Sequence, residues 1–285
     1  MLGDVELVSV DSMSVYRGMD IGTAKPTPLE REGVRVHLID VVDASVDYTV
    51  TDYQAAARSV LEEISARGNR ALLVGGTGLY LRSLVDDLRF PGRFPDVAAS
   101  LDEEADALGP EHLHARLASL DPTAAARIEP SNRRRVVRAL EVTIGSGAAF
   151  SSFGPGLRTY PRSSIRQIGI PYDASIHDAR IGVRFQELMR RGFLDEVKVL
   201  VASPRGMSRT ARQAIGYREL LEHVELGAPY AETMEKAVRR TRAFARRQWS
   251  WFRRDPRIDW LDPQGDLLAQ LEDRASERAN SPVGD

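Results

Sequence analysis

Residues Leu7–Pro26 read LVSVDSMSVYRGMDIGTAKP. The stretch continues an apolar run, Val5, Leu7, Val8 and Val10, rich in β-branched side chains, and such a run predicts a buried strand. Asp11 and Ser12 stand at its end, ahead of the turn-forming Gly18 and Gly22 and of Pro26. In open α/β sheets ligands bind at the carboxyl ends of strands. An Asp at that place either caps a turn or does chemistry, and for a lone Asp the cap is the commoner role.

Outward from this strand the pattern stays α/β. A short strand is expected around Val36–Val41. Thr51 and Gln54 predict a capping box, opening a helix that carries Tyr53, Ala57, Val60, Leu61 and Ile64 inward and stops at Gly68. Ala71–Val74 reads as a second buried strand and runs into Gly75, Gly76, Thr77, Gly78, Leu79 and Tyr80. Strand, helix, strand, glycine turn and helix make a βαβ order, hence a parallel sheet. A glycine turn at a helix start sharpens the chain's exit from a strand. It also presents backbone N–H groups to an anion or a base edge.

From Phe90 the character changes. Pro91, Gly92 and Pro95 break the pattern, and residues 96 to 150 read as helices with no strand between them. Residues 146–161 form a loop rich in Ser, Gly and Pro. Ile165–Ile170 is expected to return as a strand that completes the sheet, followed by helices to about Phe252. The chain thus divides into an α/β core, 1–91 with 157–262, a helical insertion, 92–156, and a polar tail, 263–285. The tail is expected to be disordered apart from a short helix near Leu267–Leu271.

Composition narrows the function. There is no cysteine, which excludes disulfides, thiolate nucleophiles and cysteine-based zinc sites. No apolar run approaches the ~20 residues of a membrane span, so a cytoplasmic protein is expected. The formal net charge of −2 announces no nucleic-acid binder, but the basic residues cluster. Arg133, Arg134, Arg135 and Arg138 stand close together. Arg239, Arg242, Arg246 and Arg253 fall at helical spacing, with Arg240, Arg247 and Arg254 beside them. Few acids lie near either group in sequence, and unpaired positive stripes favour a phosphate backbone. Trp249, Trp251 and Trp260 are expected to pack. His112 and His114 are expected at the surface or in packing, and no metal ligand set is assigned.

The string DSMSVYRGMDIGTAKP, from Asp11 to Pro26, resembles the signature of the tRNA dimethylallyltransferases, also called tRNA isopentenyltransferases. GGTGLY, RALEV after the arginines, IGYREL and ARRQWSWFRR are similar to further segments of that family, so the likeness spans residues 5 to 261. It implies a core like that of P-loop nucleotide kinases, with a helical insertion that grips a tRNA anticodon stem-loop. The implied reaction moves a dimethylallyl group from dimethylallyl diphosphate to N6 of an adenosine beside the anticodon, with Mg²⁺ as cofactor and a monomeric enzyme. Asp11 is implied as general base, with Thr77 approaching the target base. The implied tRNA contacts are Asp11, Ser12, Met13, Ser14, Arg134, Arg135, Val136, Val137, Arg138, Arg212, Gly216, Tyr217, Arg218, Arg239, Arg242, Arg246, Arg247 and Arg253. Arg138 and Arg212 are the candidates to assist diphosphate departure.

One departure matters. The family opens with a strand, a phosphate-binding G-x-x-x-x-G-K-[ST] loop and a helix, a unit of about 25 residues. No such motif occurs in the 285 residues, and none of the three lysines, Lys25, Lys198 and Lys236, follows a glycine. These residues alone are therefore expected to hold a diphosphate poorly. A non-catalytic RNA-binding form of the same fold, a transferase acting on free adenine nucleotides, and a P-loop kinase are the competing readings. The insertion and the arginine helix argue against a small nucleotide as substrate, and the absent loop argues against a kinase.

Overall fold

The structure, a computed structural model, describes residues 4–154, 156–157 and 159–276. It divides into two compact units. Met1–Val85 and Ser163–Asp285 form the first, and Asp86–Arg162 the second.

The first unit is built on β1 (Val5–Val10), where Glu6, Val8 and Val10 are buried and the alternate residues half-buried. β2 (Tyr16–Arg17), β3 (Val36–His37), β4 (Val42–Asp43), α1 (Val50–Ala66) and β5 (Arg70–Gly75) follow. β1 is central in its sheet. It pairs in parallel with β3, Leu7 opposite Val36, and with β5, Val10 opposite Gly75. β2 and β4 form a separate parallel pair. The α1 cap lies two residues before the expected one. Thr49 accepts from the Asp52 N–H, and Asp52 answers to the Thr49 N–H, while Gln54 is buried on the carbonyl of Ser83. Tyr53 stacks on Tyr80 of α2 (Gly78–Val85), with ring centroids 4.1 Å apart.

The second unit is helical. α3 (Pro95–Leu108), α4 (Pro110–Leu120), α5 (Pro122–Ala125) and α6 (Arg133–Ser146) bury Leu101, Leu113, Leu117, Val136 and Leu140 among themselves. Asn132 caps α6 by accepting from Arg135 N–H. The loop after α6 contains a 3₁₀ turn at Phe150–Phe153.

Back in the first unit come β6 (Gln167–Gly169), α7 (Ala174–Arg190), α8 (Phe193–Ala202), α9 (Tyr217–Leu226), α10 (Tyr230–Phe252), β7 (Ile258–Trp260) and α11 (Leu267–Ser276). β6 was expected to complete the β1 sheet. It pairs in parallel with β7 instead, Gly169 opposite Trp260. β5 has no second partner among the described residues, and its Leu72 and Val74 stay about half exposed. An apolar run reveals a strand but not the strand it joins. The expected tail also holds more structure than its polarity suggests. Arg274 of α11 binds Asp259 of β7 at 2.7 Å, while residues 277–285 lie outside the described residues.

The amino end of β1 carries a buried charge. Glu6 receives Arg67 Nε and Nη2, each at 2.9 Å, Asn69 Nδ2 at 2.8 Å and His37 Nε2 at 2.6 Å. The Arg67 guanidinium, then Asn69 and His37, hold its carboxyl well below the usual glutamate range. A depressed pKa stabilises the fold above the unfolded-state value, about 4.3, and that gain fades as pH falls below it. Thermal melts taken between neutral pH and about pH 3 are therefore expected to show the midpoint dropping on acidification, and Glu6→Gln is expected to be less stable at neutral pH with a flatter drop. Parallel curves for parent and variant would remove Glu6 as the source.

Candidate active site

β1 and β5 end side by side, and their exits meet. Thr77 N–H donates to the Val10 carbonyl at 3.1 Å. Ser12 N–H donates to Thr77 Oγ1 at 3.1 Å, and the Thr77 hydroxyl reaches Ser12 Oγ at 3.4 Å. The sheet thus brings Asp11 and Thr77 together through Ser12. Asp11 takes the turn-capping role open to it in the sequence and keeps one carboxylate oxygen free of it. Its Oδ1 accepts from Met13 N–H at 2.8 Å, closing a turn. Its Oδ2 takes no hydrogen bond among the described residues, and the side chain is only partly buried. One oxygen fixes the carboxylate while the other stays open to accept a proton.

The segment after Asp11 is held rigidly. The Lys25 ammonium, 3% exposed, binds Asp20 at 2.7 Å and Asp40 at 2.6 Å and donates to the Tyr16 carbonyl. Glu196 of α8 accepts the N–H groups of Asp20, Ile21 and Gly22 at 2.9, 2.7 and 3.1 Å. It also accepts the hydroxyl of the fully buried Tyr217, whose ionisation burial and then Glu196 suppress. Neither anchor was foreseen. Lys25 sits within the quoted stretch, but Glu196 acts on residues 174 to 176 positions away, a distance at which sequence offers no signal.

Several implied RNA contacts face inward. Ser14 is buried against Ser9 Oγ at 2.9 Å. Met13 packs on the core, Val136 and Val137 are buried in the second unit, and Gly216 and Tyr217 are buried in the first. A resemblance carries over a segment, not the direction of each side chain, and these residues support the elements on which their neighbours stand.

The arginines were expected to lack acidic partners, and this needs correction. Arg133 binds Asp102 and Asp106. Arg138 binds Glu141 at 2.7 Å and the carbonyls of Pro91 and Gly92. Arg212 forks onto Glu225. On α10, Arg240 binds the buried Glu219 and Arg246 the Asp178 carboxylate of α7, while Arg242 donates to the Asp178 carbonyl. Apart from Glu141, which shares α6 with Arg138, the acids come from other elements, so local sequence concealed them. Of the arginines named in the sequence, those exposed without an ion pair among the described residues are Arg134 and Arg135 on the second unit, and Arg218, Arg239, Arg247, Arg253 and Arg254 on the first. Trp249 packs edge-on to Trp260, with ring centroids 4.8 Å apart. His114 bonds the Ile128 carbonyl at 2.9 Å, and His112 lies 3.4 Å from Glu104.

Among the described residues no three His, Cys, Asp or Glu side chains converge as a metal site, and no helix is long and apolar enough to cross a membrane. Mg²⁺ is usually held by one or two carboxylates together with substrate phosphates, a donor set that needs no such cluster.

Comparison with known proteins finds relatives over most of the chain. A tRNA dimethylallyltransferase of Kineococcus radiotolerans is 47% identical over 273 residues, covering 95% of this chain and 86% of that protein. One from Streptomyces avermitilis is 44% identical, covering 98% and 89%. Among solved structures, the full-length tRNA isopentenylpyrophosphate transferase of Bacillus halodurans superposes with a TM-score of 0.66 at 34% identity, over 96% of this chain and 87% of that one. A eukaryotic dimethylallyltransferase acting on tRNA gives 0.74 at 26% identity, over 96% and 71%. The fold is the P-loop kinase-like core with a helical unit that these enzymes share. A family model described as IPP transferase matches residues 14–255, and since this span runs from just beyond Asp11 through the end of α10, the chain belongs to the IPP transferase family.

Proposed function

We propose that this protein is a tRNA-modifying transferase that moves a dimethylallyl group onto an adenosine of tRNA. The observation that carries the reading is the meeting of Asp11 and Thr77 at adjacent strand ends. The exocyclic amine of adenine is a poor nucleophile, because its lone pair is delocalised into the ring. As the new N6–carbon bond forms and the allylic carbon–oxygen bond breaks, Asp11 Oδ2 takes the N6 proton and diphosphate leaves. Met13 N–H keeps that carboxylate aimed, and Ser12 ties it to Thr77, whose hydroxyl lies beside the reacting base. The base leaves its stack to reach the site, at lower cost from an RNA loop than from a duplex.

Dimethylallyl diphosphate is the donor, and Mg²⁺ would accompany it, neutralising charge on the leaving group. Arg138 and Arg212 stay candidates to face the diphosphate only if they release Glu141 and Glu225. Asp11 and Thr77 come from one chain, so a monomer suffices, working in the cytoplasm where tRNA is found.

The test is transfer of labelled dimethylallyl from its diphosphate to an anticodon stem-loop. It is run on residues 1–285 and on the same chain with a strand, G-x-x-x-x-G-K-[ST] loop and helix ahead of Met1. Labelled RNA from at least one form is expected. RNA binding without label from either would favour the non-catalytic reading.

The exposed arginines give a second expected result. Removing Arg239, Arg247 and Arg253 together, each to Ala, is expected to weaken stem-loop binding and to reduce the slope of log K against log salt by about 2–3, at ~0.7–0.9 per phosphate contact. Arg242 and Arg246 are left alone, because they hold α10 to α7 through Asp178. A filter-binding slope equal to the parent's would take RNA off this helix.

A further inference from the structure

The glycine turn that carries Thr77 is covered by α10. Gln248 Nε2 donates to the Gly76 carbonyl at 2.8 Å. The approach is close enough that a Cβ on Gly76 would lie 2.1 Å from that nitrogen, and a Cβ on Gly78 would lie 2.3 Å from Trp251 Nε1. Two side chains one helical turn apart therefore press on bare backbone on either side of Thr77. The Thr77 N–H is bonded to Val10 and its hydroxyl to Ser12, so the turn has three attachments: strand, Asp11 segment and α10.

We infer that Gln248 is a positioning residue for the reaction: from α10 it fixes the Gly76 carbonyl, and through the turn it sets the Thr77 hydroxyl against Ser12 and Asp11. The inference rests on the reading of Asp11 and Thr77 given above. Gln suits the task because its amide donates to a carbonyl without bringing charge, and its flat end fits over a glycine. The carbonyl itself identifies the donor, since it only accepts. α10 also bears the exposed Arg239, Arg247 and Arg253, so the helix proposed to meet RNA backbone is the helix that sets the turn.

Gln248→Met keeps the bulk and removes the donor. Gln248→Glu keeps the shape and turns a carboxylate oxygen toward the carbonyl. Single-turnover transfer is expected to fall about tenfold in the Met variant, the worth of one hydrogen bond, and further in the Glu variant. Stem-loop affinity is expected to stay within about twofold, a split that general loosening of the fold would not give. Thr77→Val combined with Gln248→Met is expected to lose little beyond Thr77→Val alone, because both act through one hydroxyl. Hydrogen exchange in the 285-residue chain supplies a readout independent of catalysis. The Thr77 amide is expected to exchange about tenfold faster in Gln248→Met, with the β1–β5 ladder unchanged. Parent-like exchange at Thr77, parent-like transfer by Gln248→Met, or losses that multiply in the double variant would overturn the inference. Thr77→Val or Asp11→Asn transferring at the parent rate would instead overturn the reading on which it rests.

Discussion

Asp11→Asn is expected to slow dimethylallyl transfer by about 10²–10⁴-fold, the usual cost of a lost general base, and to leave RNA affinity unchanged. The variant is informative because only one of the two Asp11 carboxylate oxygens is hydrogen-bonded among the described residues. Asn retains an oxygen at the Oδ1 position, so the bond from Met13 N–H at 2.8 Å survives and the turn keeps its shape. The group replacing Oδ2 is an amide that takes no proton. Removing the proton acceptor without moving the backbone separates chemistry from architecture, which Asp11→Ala would not do. The measurement is single-turnover transfer with enzyme in excess, in whichever form of the chain transfers label, alongside stem-loop binding. A rate within a few-fold of the parent would reduce Asp11 to the turn cap that it also is.

The two readings of Asp11 show how far sequence reaches in this chain. The apolar run before it and the βαβ order after it put Asp11 and Thr77 at strand ends of one parallel sheet, and the structure pairs those two strands directly. Three features departed from the sequence reading. The α1 cap moved from Thr51, which lies inside the helix, to Thr49, where Asp52 completes the box three residues on. β6 joined β7, because a strand's apolar pattern does not name its partner. The arginines of α10 found Asp178 and Glu219, acids supplied by α7 and α9. For the strand and the arginines the deciding partner is set by tertiary packing. The arginines that sequence grouped together separate into ones turned to other helices and exposed ones with no ion pair among the described residues.

Glu196→Ala is expected to cost about 2–4 kcal/mol of stability, from three backbone N–H groups and one buried hydroxyl losing their acceptor at about 1–3 kcal/mol for each donor that water cannot reach. Asp20 is exposed and its N–H will find water. Ile21, Gly22 and above all Tyr217 are less able to. For a unit of this size the loss corresponds to a melting point lower by roughly 5–15 °C. Glu196→Gln keeps one acceptor oxygen and sets an NH₂ toward the remaining donors, so it is expected to fall between Ala and the parent. Tyr217→Phe removes a single hydroxyl together with its need for a partner, and is expected to cost no more than about 1 kcal/mol. Denaturant unfolding of the three variants checks the order, and Glu196→Ala unfolding at the parent's midpoint would mean that the contacts of Glu196 add nothing. The consequence reaches the active site because of where the anchor lies. The segment leaving Asp11 is tied at Lys25 by Asp20, Asp40 and the Tyr16 carbonyl, and between these points Glu196 gathers the N–H groups of residues 20–22. Freed there, the loop gains conformations in which the Asp11 turn is no longer pressed toward Thr77, and transfer should fall with it. Below the lowered melting point, a variant that stays folded, binds stem-loop RNA as the parent does and transfers more slowly would show that Glu196, remote from the base, sets how often Asp11 is in place.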